Sequence, residues 1–202
     1  MSDSDTLLVC SGEKGPDQKY AKWLVALSRN GSEWRETQRV QTDGNGWISC
    51  ALSDSRVLIG EWGSTYMELF RVESGPRIAR VHRIHVPEEY YWFSATCDSD
   101  TLVAMSYEDQ SVRMHRVRDD RLEELARIQL EEPYYLLWLS DRLIVDESNS
   151  VIELEVSDTR LRRGRELIAT GDNIGVRRLC AVDDELAIFD FQSNDILHYS
   201  FA

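Results

Sequence analysis

One pattern recurs five times along this chain, and it limits the possible folds more than any other feature. A polar turn is followed by an apolar run of four to six residues, a second polar turn and another short apolar run. The apolar runs begin at positions that recur every 41–50 residues, namely Leu7, Val57, Leu102, Leu143 and Leu186. A repeat of this length, made of short strands, indicates a set of similar β units that pack on one another.

Each complete unit is predicted to hold four strands, which we name a, b, c and d. In the third unit these are Phe93–Cys97, Leu102–Met105, Val112–Val117 and Leu122–Leu130. The b strand is apolar at successive positions, so both of its faces should be covered. The d strand is more polar and suits an outer position, although Leu122, Leu125 and Ile128 also have helical spacing. The sequence therefore predicts an all-β fold, a β-propeller with five blades or partial blades.

The predicted blades cover approximately residues 3–43, 44–88, 89–131, 132–171 and 172–202 of one domain, 1–202. The first blade lacks strand a and the last lacks strand d, which gives a strand pattern of 3+4+4+4+3. Three interpretations remain open. The ring closes through side-chain packing, or it is an open arc completed by another chain or a second copy, or the chain is a piece of a longer protein. An open blade edge leaves backbone donors and acceptors for a partner strand.

The third unit resembles a blade of the WD-repeat family. The resemblance rests on the Ser99-Asp100 turn, the apolar strand Leu102–Met105, the Asp109-Gln110-Ser111 turn and the strand that begins at Val112. It implies a WD-like propeller in which the loops from strand d to strand a gather on one rim, where such proteins commonly bind partners. No c strand ends in Trp-Asp, and no Gly-His precedes an a strand. The buried His–Ser–Trp–Asp network of the family is therefore not expected.

The charge and the cysteines exclude several classes of function. The net charge is −13, which disfavours nucleic acid and anionic membranes as partners because both require clustered positive charge. No apolar stretch of about 18 residues is present, and residues 1–5 do not resemble a secretory signal. The four cysteines occur singly, so reduced thiols and a cytoplasmic or nuclear location are expected.

No residue pattern predicts a catalytic site, a metal or a cofactor. His82 and His85 are three apart in a predicted strand and therefore lie on opposite faces. His115 and His198 lie in different c strands and are interpreted as packing or surface residues. Paired carboxylates are too frequent in so acidic a chain for a glycosidase pair to be selected. The arginines between positions 160 and 165 are interpreted as exposed residues of an outer strand.

The loops from strand d to strand a carry the candidate partner-binding residues. Aromatic rings beside carboxylates suit a basic peptide or protein, because the rings provide rigid contact area and the acids attract cations. The alternative is that the aromatic residues belong to the core and the acids are solvated turn positions. The candidates are Trp47, Glu88, Glu89, Tyr90, Tyr91, Glu131, Glu132, Tyr134 and Tyr135.

These observations predict a non-catalytic adaptor that presents the rim, or an open blade edge, to a protein or peptide. The chain is not expected to be an enzyme. Completion by a partner chain, or a homodimer, is also expected if the ring is open. The alternative is a lectin-like propeller that binds carbohydrate through its aromatic side chains, and a propeller glycosidase is a weaker alternative.

Overall fold

A computed structural model describes most of the chain as strands and turns. The described residues are 6–14, 20–42, 48–52, 55–60, 66–73, 77–86, 92–97, 102–118, 120–139, 141–148, 150–169, 177–182, 185–190 and 195–200. Within these ranges there is no α-helix, so none is long and apolar enough to cross a membrane. The all-β prediction is confirmed.

The strands of the described residues form five antiparallel sheets, with neighbouring strands in chain order. The first sheet holds β1 (Thr6–Lys14), β2 (Tyr20–Asn30) and β3 (Glu33–Thr42). The second holds β4 (Ile48–Ala51), β5 (Arg56–Gly60), β6 (Tyr66–Glu73) and β7 (Arg77–His85). The third holds β8 (Trp92–Cys97), β9 (Leu102–Tyr107), β10 (Ser111–Val117) and β11 (Leu122–Gln129). The fourth holds β12 (Tyr135–Leu139), β13 (Arg142–Asp146), β14 (Ser150–Ser157) and β15 (Arg160–Ala169), and the fifth holds β16 (Arg177–Val182), β17 (Glu185–Asp190) and β18 (Asp195–Ser200).

A β-bulge between the last two strands recurs in four sheets, and the third sheet has a further register shift between β8 and β9, at Trp92/Ser94. The recurring bulge lies in the first four sheets, at Ala26/Leu27, Leu69/Phe70, Met114/His115 and, with two shifts, around Ile152. In the first sheet this pair is β2 and β3, so the three strands there correspond to b, c and d. The fifth sheet pairs regularly throughout and corresponds to a, b and c. The register therefore gives the strand assignment that the sequence repeat predicts.

The chain divides into two compact units. One comprises Met1–Pro87 with Asp119–Arg121, and the other comprises Glu88–Arg118 with Leu122–Ala202. In the first unit, Leu24, Ala26, Ile59, Phe70 and Ile78 form a buried cluster. The second unit has two such clusters, one from the third and fourth sheets and one from the fourth and fifth. The five blade boundaries remain a prediction.

The b strands of the second, third and fourth sheets are buried along almost their whole length, as their continuous apolar sequence predicts. The b strand of the first sheet, β1, differs, because Leu7 and Val9 are exposed. All five residues of β5 are buried, and so are the last five of β9 and the last four of β13. A strand is apolar at every position when both of its faces are covered. The d strands are less buried: β7 buries only Ile78 and Ile84, whereas most residues of β11 are half-buried or buried. The segment with helical spacing is strand β11, as its place in the repeat predicts.

Within the first unit, a side chain supplies hydrogen bonds that a neighbouring strand would otherwise make. The Gln38 amide nitrogen donates to the Ile78 carbonyl at 2.9 Å, and the Ile78 amide donates to Gln38 Oε1 at 2.6 Å. Arg80 also donates to the Gln41 carbonyl at 2.6 Å. These bonds fasten β3 of the first sheet to β7 of the second, because they satisfy backbone groups that would otherwise be unpaired.

Gly164→Ala is expected to lower the free energy of unfolding by about 1–2 kcal/mol. A Cβ at Gly164 would lie 2.7 Å from the Glu153 carbonyl oxygen on β14, so the two backbones must separate. Urea unfolding would measure the loss. Arg162→Ala is the matched control, because Arg162 is an exposed residue of the same strand and should change stability by no more than about 0.5 kcal/mol. Equal losses in the two variants would contradict the steric explanation.

Candidate functional site

The structure describes four of the nine predicted partner-binding residues. Glu131, Glu132 and Tyr134 lie in the connection between β11 and β12, and Tyr135 is the first residue of β12. The other five lie outside the described residues; they are Trp47, Glu88, Glu89, Tyr90 and Tyr91. Glu131, Glu132 and Tyr134 are exposed and Tyr135 is half-buried, so the candidate surface is centred on the first three.

Backbone hydrogen bonds hold this connection between the turns of two sheets. The Leu130 amide donates to the Gln110 carbonyl at 2.9 Å, in the turn between β9 and β10. The Tyr134 amide donates to the Asp146 carbonyl at 2.9 Å, at the end of β13. These bonds fix both ends of the connection, so its side chains are presented by an ordered backbone rather than by a free loop.

The connection lies beside two carboxylates that the sequence analysis did not select. Asp146 and Glu147 are 2% and 3% exposed, and the Ser148 amide that follows them donates to the Glu131 carbonyl at 3.3 Å. We call Glu131, Glu132, Tyr134, Asp146 and Glu147 the acidic edge. It combines exposed and buried carboxylates with one exposed aromatic ring.

Tyr134 is the exposed ring of the acidic edge, with 38% of its surface accessible. Its hydroxyl donates to Glu132 Oε2 at 3.2 Å. Partial burial and the nearby carboxylates of Glu132 and Asp146 raise the pKa of Tyr134. The phenol is therefore a protonated hydrogen-bond donor at neutral pH. Glu132 has a φ of +47°, a left-handed conformation that costs a residue with a side chain about 1 kcal/mol or more.

Glu147 is the buried carboxylate of the edge, and it has two partners. Its Oε1 accepts a hydrogen bond from Arg163 Nη1 at 2.7 Å, and its Oε2 accepts one from the Ser150 hydroxyl at 3.3 Å. A buried carboxylate requires such partners because it has lost its hydration. The hydrogen bond to Glu147 raises the pKa of Arg163, with further contributions from Glu166 and Glu131. Arg163 on β15 therefore fixes the edge from the outer strand.

The geometry of the acidic edge suits a ligand rich in hydroxyl groups. Carboxylates accept hydrogen bonds from adjacent hydroxyls, and a protonated phenol donates one. The exposed face of Tyr134 offers a flat apolar surface for a ring. The solvent-accessible carboxylate of Glu132 can also act as a general base toward a water molecule. Among the described residues, no group of three or more His, Cys, Asp and Glu side chains is placed to hold a metal ion.

One signal in the sequence points to Asp146 and Glu147 in retrospect. Both residues directly follow the apolar run Leu143–Val145, so they continue from a strand that is buried on both faces. Arg163 was interpreted as an exposed arginine of an outer strand. It is about half exposed, and its guanidinium nevertheless bonds the buried Glu147 carboxylate.

Comparison with known proteins identifies the fold but no family. No protein-family model and no curated protein sequence matches the chain. A protein from Lactobacillus plantarum gives a TM-score of 0.64 at 14% identity, over 99% of this chain and 68% of that one. A functionally unknown protein from Desulfotomaculum acetoxidans gives 0.60 at 10% identity, over 92% and 69%. A "putative 6-phosphogluconolactonase" from Bacteroides uniformis gives 0.57 at 14% identity, over 95% and 67%.

The similarity to the Bacteroides uniformis protein corrects the predicted function. The non-catalytic adaptor was inferred mainly from fold class, and this fold is also that of a protein described as a "putative 6-phosphogluconolactonase". One architecture carries many activities, so the absence of a catalytic motif in the sequence does not make the chain an adaptor. The predictions of a non-catalytic adaptor and of no enzymatic activity are therefore wrong. The predicted location and the resemblance to WD repeats stay predictions.

Proposed function

We propose that the chain is a WD-like β-propeller enzyme that hydrolyses a sugar-derived substrate at the acidic edge. Each of the five sheets would be one blade or partial blade. The repeat of 41–50 residues and the bulge shared by four sheets support this assignment, and so do the solved structures of similar fold. The observation that carries the functional proposal is the exposed Tyr134, whose hydroxyl is bonded to Glu132 beside the buried Asp146 and Glu147.

Substrate binding would use the exposed part of the edge. A sugar or sugar lactone presents several hydroxyls on one face and C–H groups on the other. Glu131 and Glu132 would accept hydrogen bonds from the hydroxyls, while the Tyr134 ring would cover the C–H face. The pair of Glu147 and Arg163, joined at 2.7 Å, would hold the supporting backbone rather than contact the substrate.

Hydrolysis would need a base for water and a donor for the oxygen that becomes negative. The Glu132 carboxylate would take a proton from the attacking water as the water oxygen bonds to the lactone carbonyl carbon and the carbonyl oxygen becomes an oxyanion. The raised pKa of Tyr134 keeps its hydroxyl protonated, so it can donate to that oxyanion once substrate displaces Glu132. The oxyanion would then collapse and break the bond from the carbonyl carbon to the ring oxygen, which leaves as a hydroxyl with the proton held by Glu132. In a glycoside, the water would instead displace the leaving oxygen from the anomeric carbon, and that oxygen would take a proton from Tyr134.

The experiment that tests this proposal is a panel of lactones and aryl glycosides, each assayed with and without a phosphate group. Lactone hydrolysis would be followed by proton release and glycoside hydrolysis by absorbance of the released phenol. Hydrolysis of at least one member that is lost in Tyr134→Ala would support the proposal. Binding without hydrolysis, measured by calorimetry, would replace the enzyme by a carbohydrate-binding propeller. If no member of the panel is either bound or hydrolysed, both the enzyme and the carbohydrate-binding propeller are overturned.

We expect the members without phosphate to be preferred. Glu131, Glu132, Asp146 and Glu147 lie at the edge, and the guanidinium of Arg163 beside them is already bonded to Glu147. A phosphate dianion would be repelled by this arrangement. The measured quantity is the ratio of kcat/KM between matched substrates with and without phosphate, and a ratio that favours the phosphorylated member would contradict the expectation.

A further inference from the structure

A second polar cluster lies buried inside the third sheet, and the proposed site does not use it. Tyr107, Arg113 and His115 are 1%, 4% and 4% exposed. The Arg113 guanidinium carbon lies 4.3 Å from the centre of the Tyr107 ring, and His115 Nε2 lies 3.0 Å from the Tyr107 hydroxyl. From the sequence, His115 was interpreted as a packing or surface residue, and Tyr107 and Arg113 were not selected.

The hydrogen bonds of this cluster leave one nitrogen of His115 without a partner. The Tyr107 hydroxyl lies 3.0 Å from His115 Nε2 and 3.6 Å from the Met105 sulfur. It donates its one proton to one of them, and the tautomer of His115 decides which. In either tautomer His115 Nδ1 is buried and has no hydrogen-bond partner among the described residues.

An imidazolium carries a proton on both nitrogens, and Nδ1 has no acceptor among the described residues. The resulting N–H would be buried and unsatisfied, and a second cation would lie on the same strand as Arg113. Burial lowers the pKa of His115 to about 4, with Arg113 and Arg127 acting in the same direction and Glu124 opposing them. The charged groups that face the ring therefore come from β10 and from β11, while β9 contributes the neutral Tyr107.

The cluster is connected to the acidic edge through one turn. Arg113 donates to Asp109 Oδ2 at 2.5 Å and to the Ser111 hydroxyl at 3.0 Å, which fixes the turn between β9 and β10. In that turn, the Gln110 carbonyl accepts from the Leu130 amide at 2.9 Å. Leu130 immediately precedes Glu131. A change in the position of Arg113 therefore acts on the residue where the acidic edge begins.

We propose that the buried cluster of Tyr107, Arg113 and His115 is an acid-sensitive switch that loosens the acidic edge when His115 is protonated. The regulatory meaning of the switch rests on the proposed function, but its physical operation does not. At neutral pH the imidazole is uncharged, Arg113 holds Asp109, and Leu130 is fixed. When His115 is protonated, its charge repels the Arg113 guanidinium, and the turn between β9 and β10 relaxes. The hydrogen bond from the Leu130 amide to the Gln110 carbonyl then opens more often.

The test is hydrogen exchange of the Leu130 amide, which needs no substrate and therefore fails or succeeds separately from the proposed function. When the pH is lowered from 6.5 to 4.5, the protection factor of the Leu130 amide should fall in the wild-type chain. The fall should be about tenfold or more larger than the fall in His115→Gln, because only the wild type has an imidazole at position 115 that can take up a proton. His198→Gln is the matched control, because His198 is exposed in β18 and should behave as wild type.

Two results would overturn the switch. One is a protection factor of Leu130 that follows the same pH dependence in the wild type and in His115→Gln. The other is an equal fall at the buried Ile144 amide of β13, which would show loss of the whole unit rather than loosening of the edge. If His115→Gln does not fold, the wild-type imidazole is followed by NMR, and a ring that titrates near pH 6.5 would equally contradict the proposal.

Discussion

Arg113→Met is expected to lower the free energy of unfolding by about 3 kcal/mol, which is roughly a hundredfold change in the unfolding equilibrium. The guanidinium is 4% exposed and bonds both Asp109 and Ser111, at 2.5 Å and 3.0 Å. Methionine retains the apolar part of the arginine side chain, so the decrease in the free energy of unfolding reports the loss of the charged guanidinium. The substitution leaves the Asp109 carboxylate without its cation and the Ser111 hydroxyl without a donor. Chemical unfolding at pH 7 would measure the difference.

The control for Arg113→Met is a substitution of an arginine whose ion pair with a carboxylate is exposed to solvent. Arg118 bonds Glu123 at 2.9 Å, and both side chains are more than 40% exposed. Arg118→Met should cost no more than about 1 kcal/mol, since exposed ion pairs contribute little. Adding Asp109→Asn to Arg113→Met should recover part of the loss, because it removes the uncompensated charge. Equal costs for the two arginine variants would contradict a structural role for the buried pair.

The cost of Arg113→Met should also depend on pH, in a direction that the Asp109 carboxyl determines. Partial burial acts to raise its pKa, but hydrogen bonds from Ser111 and Arg113 hold the pKa of Asp109 below its ordinary value. A carboxyl with a depressed pKa in the folded state contributes stability above its unfolded pKa, near 4, and loses it as the pH falls further. The difference between wild type and Arg113→Met should therefore shrink below about pH 4.

Local sequence patterns predicted the strands because local chemistry determines them. The run Leu102–Met105 is apolar at successive positions and becomes a buried strand of the third sheet. The position of Leu122–Leu130 in the repeat outweighed its helical spacing, and the segment is β11. The repeat also located the connection that holds Glu131, Glu132 and Tyr134. These features depend on residues close in sequence, so one chain is enough to find them.

The polar contacts were not predicted because they join residues that are distant in sequence. The Tyr134 amide bonds the Asp146 carbonyl, twelve positions away, and Arg163 bonds Glu147 across a strand pair. In a chain with 36 acidic residues, the position of Asp146 and Glu147 directly after an apolar run is a weak signal, and it does not show which residues they bond. His115 was missed for a similar reason, because only the fold places the Tyr107 hydroxyl 3.0 Å from its ring.

The two buried polar clusters of the second unit have different physical roles. The pair of Glu147 and Arg163 joins a buried acid to a half-exposed cation at the acidic edge. The cluster around His115 holds a cation and a neutral imidazole inside the sheet, with the Asp109 turn between it and the edge. A buried polar cluster costs desolvation and is stable only when its members are satisfied. Among the described residues, His115 Nδ1 has no hydrogen-bond partner, so a charged imidazole would be the least satisfied member of this cluster.

Glu132→Gln is expected to lower kcat about a hundredfold or more on any substrate that the panel identifies, because glutamine cannot accept the proton of water. The substitution keeps the size of the side chain and an oxygen that can accept from the Tyr134 hydroxyl, which now lies 3.2 Å from Glu132 Oε2. KM should change little, since hydrogen bonds to substrate hydroxyls remain available. Steady-state kinetics of purified variants would separate the two constants.

Glu123→Gln is the matched control for Glu132→Gln, because it removes an exposed carboxylate of β11 that pairs with Arg118 instead of facing the acidic edge. It should retain the wild-type kcat. The kcat of Tyr134→Phe should lie between the values of these two variants. The substitution keeps the ring that covers the substrate but removes the hydroxyl that donates to the oxyanion. An increase in KM with an unchanged kcat in Glu132→Gln would show that Glu132 binds substrate without acting as the base. The candidate base would then be Glu131, which is the other exposed carboxylate of the acidic edge.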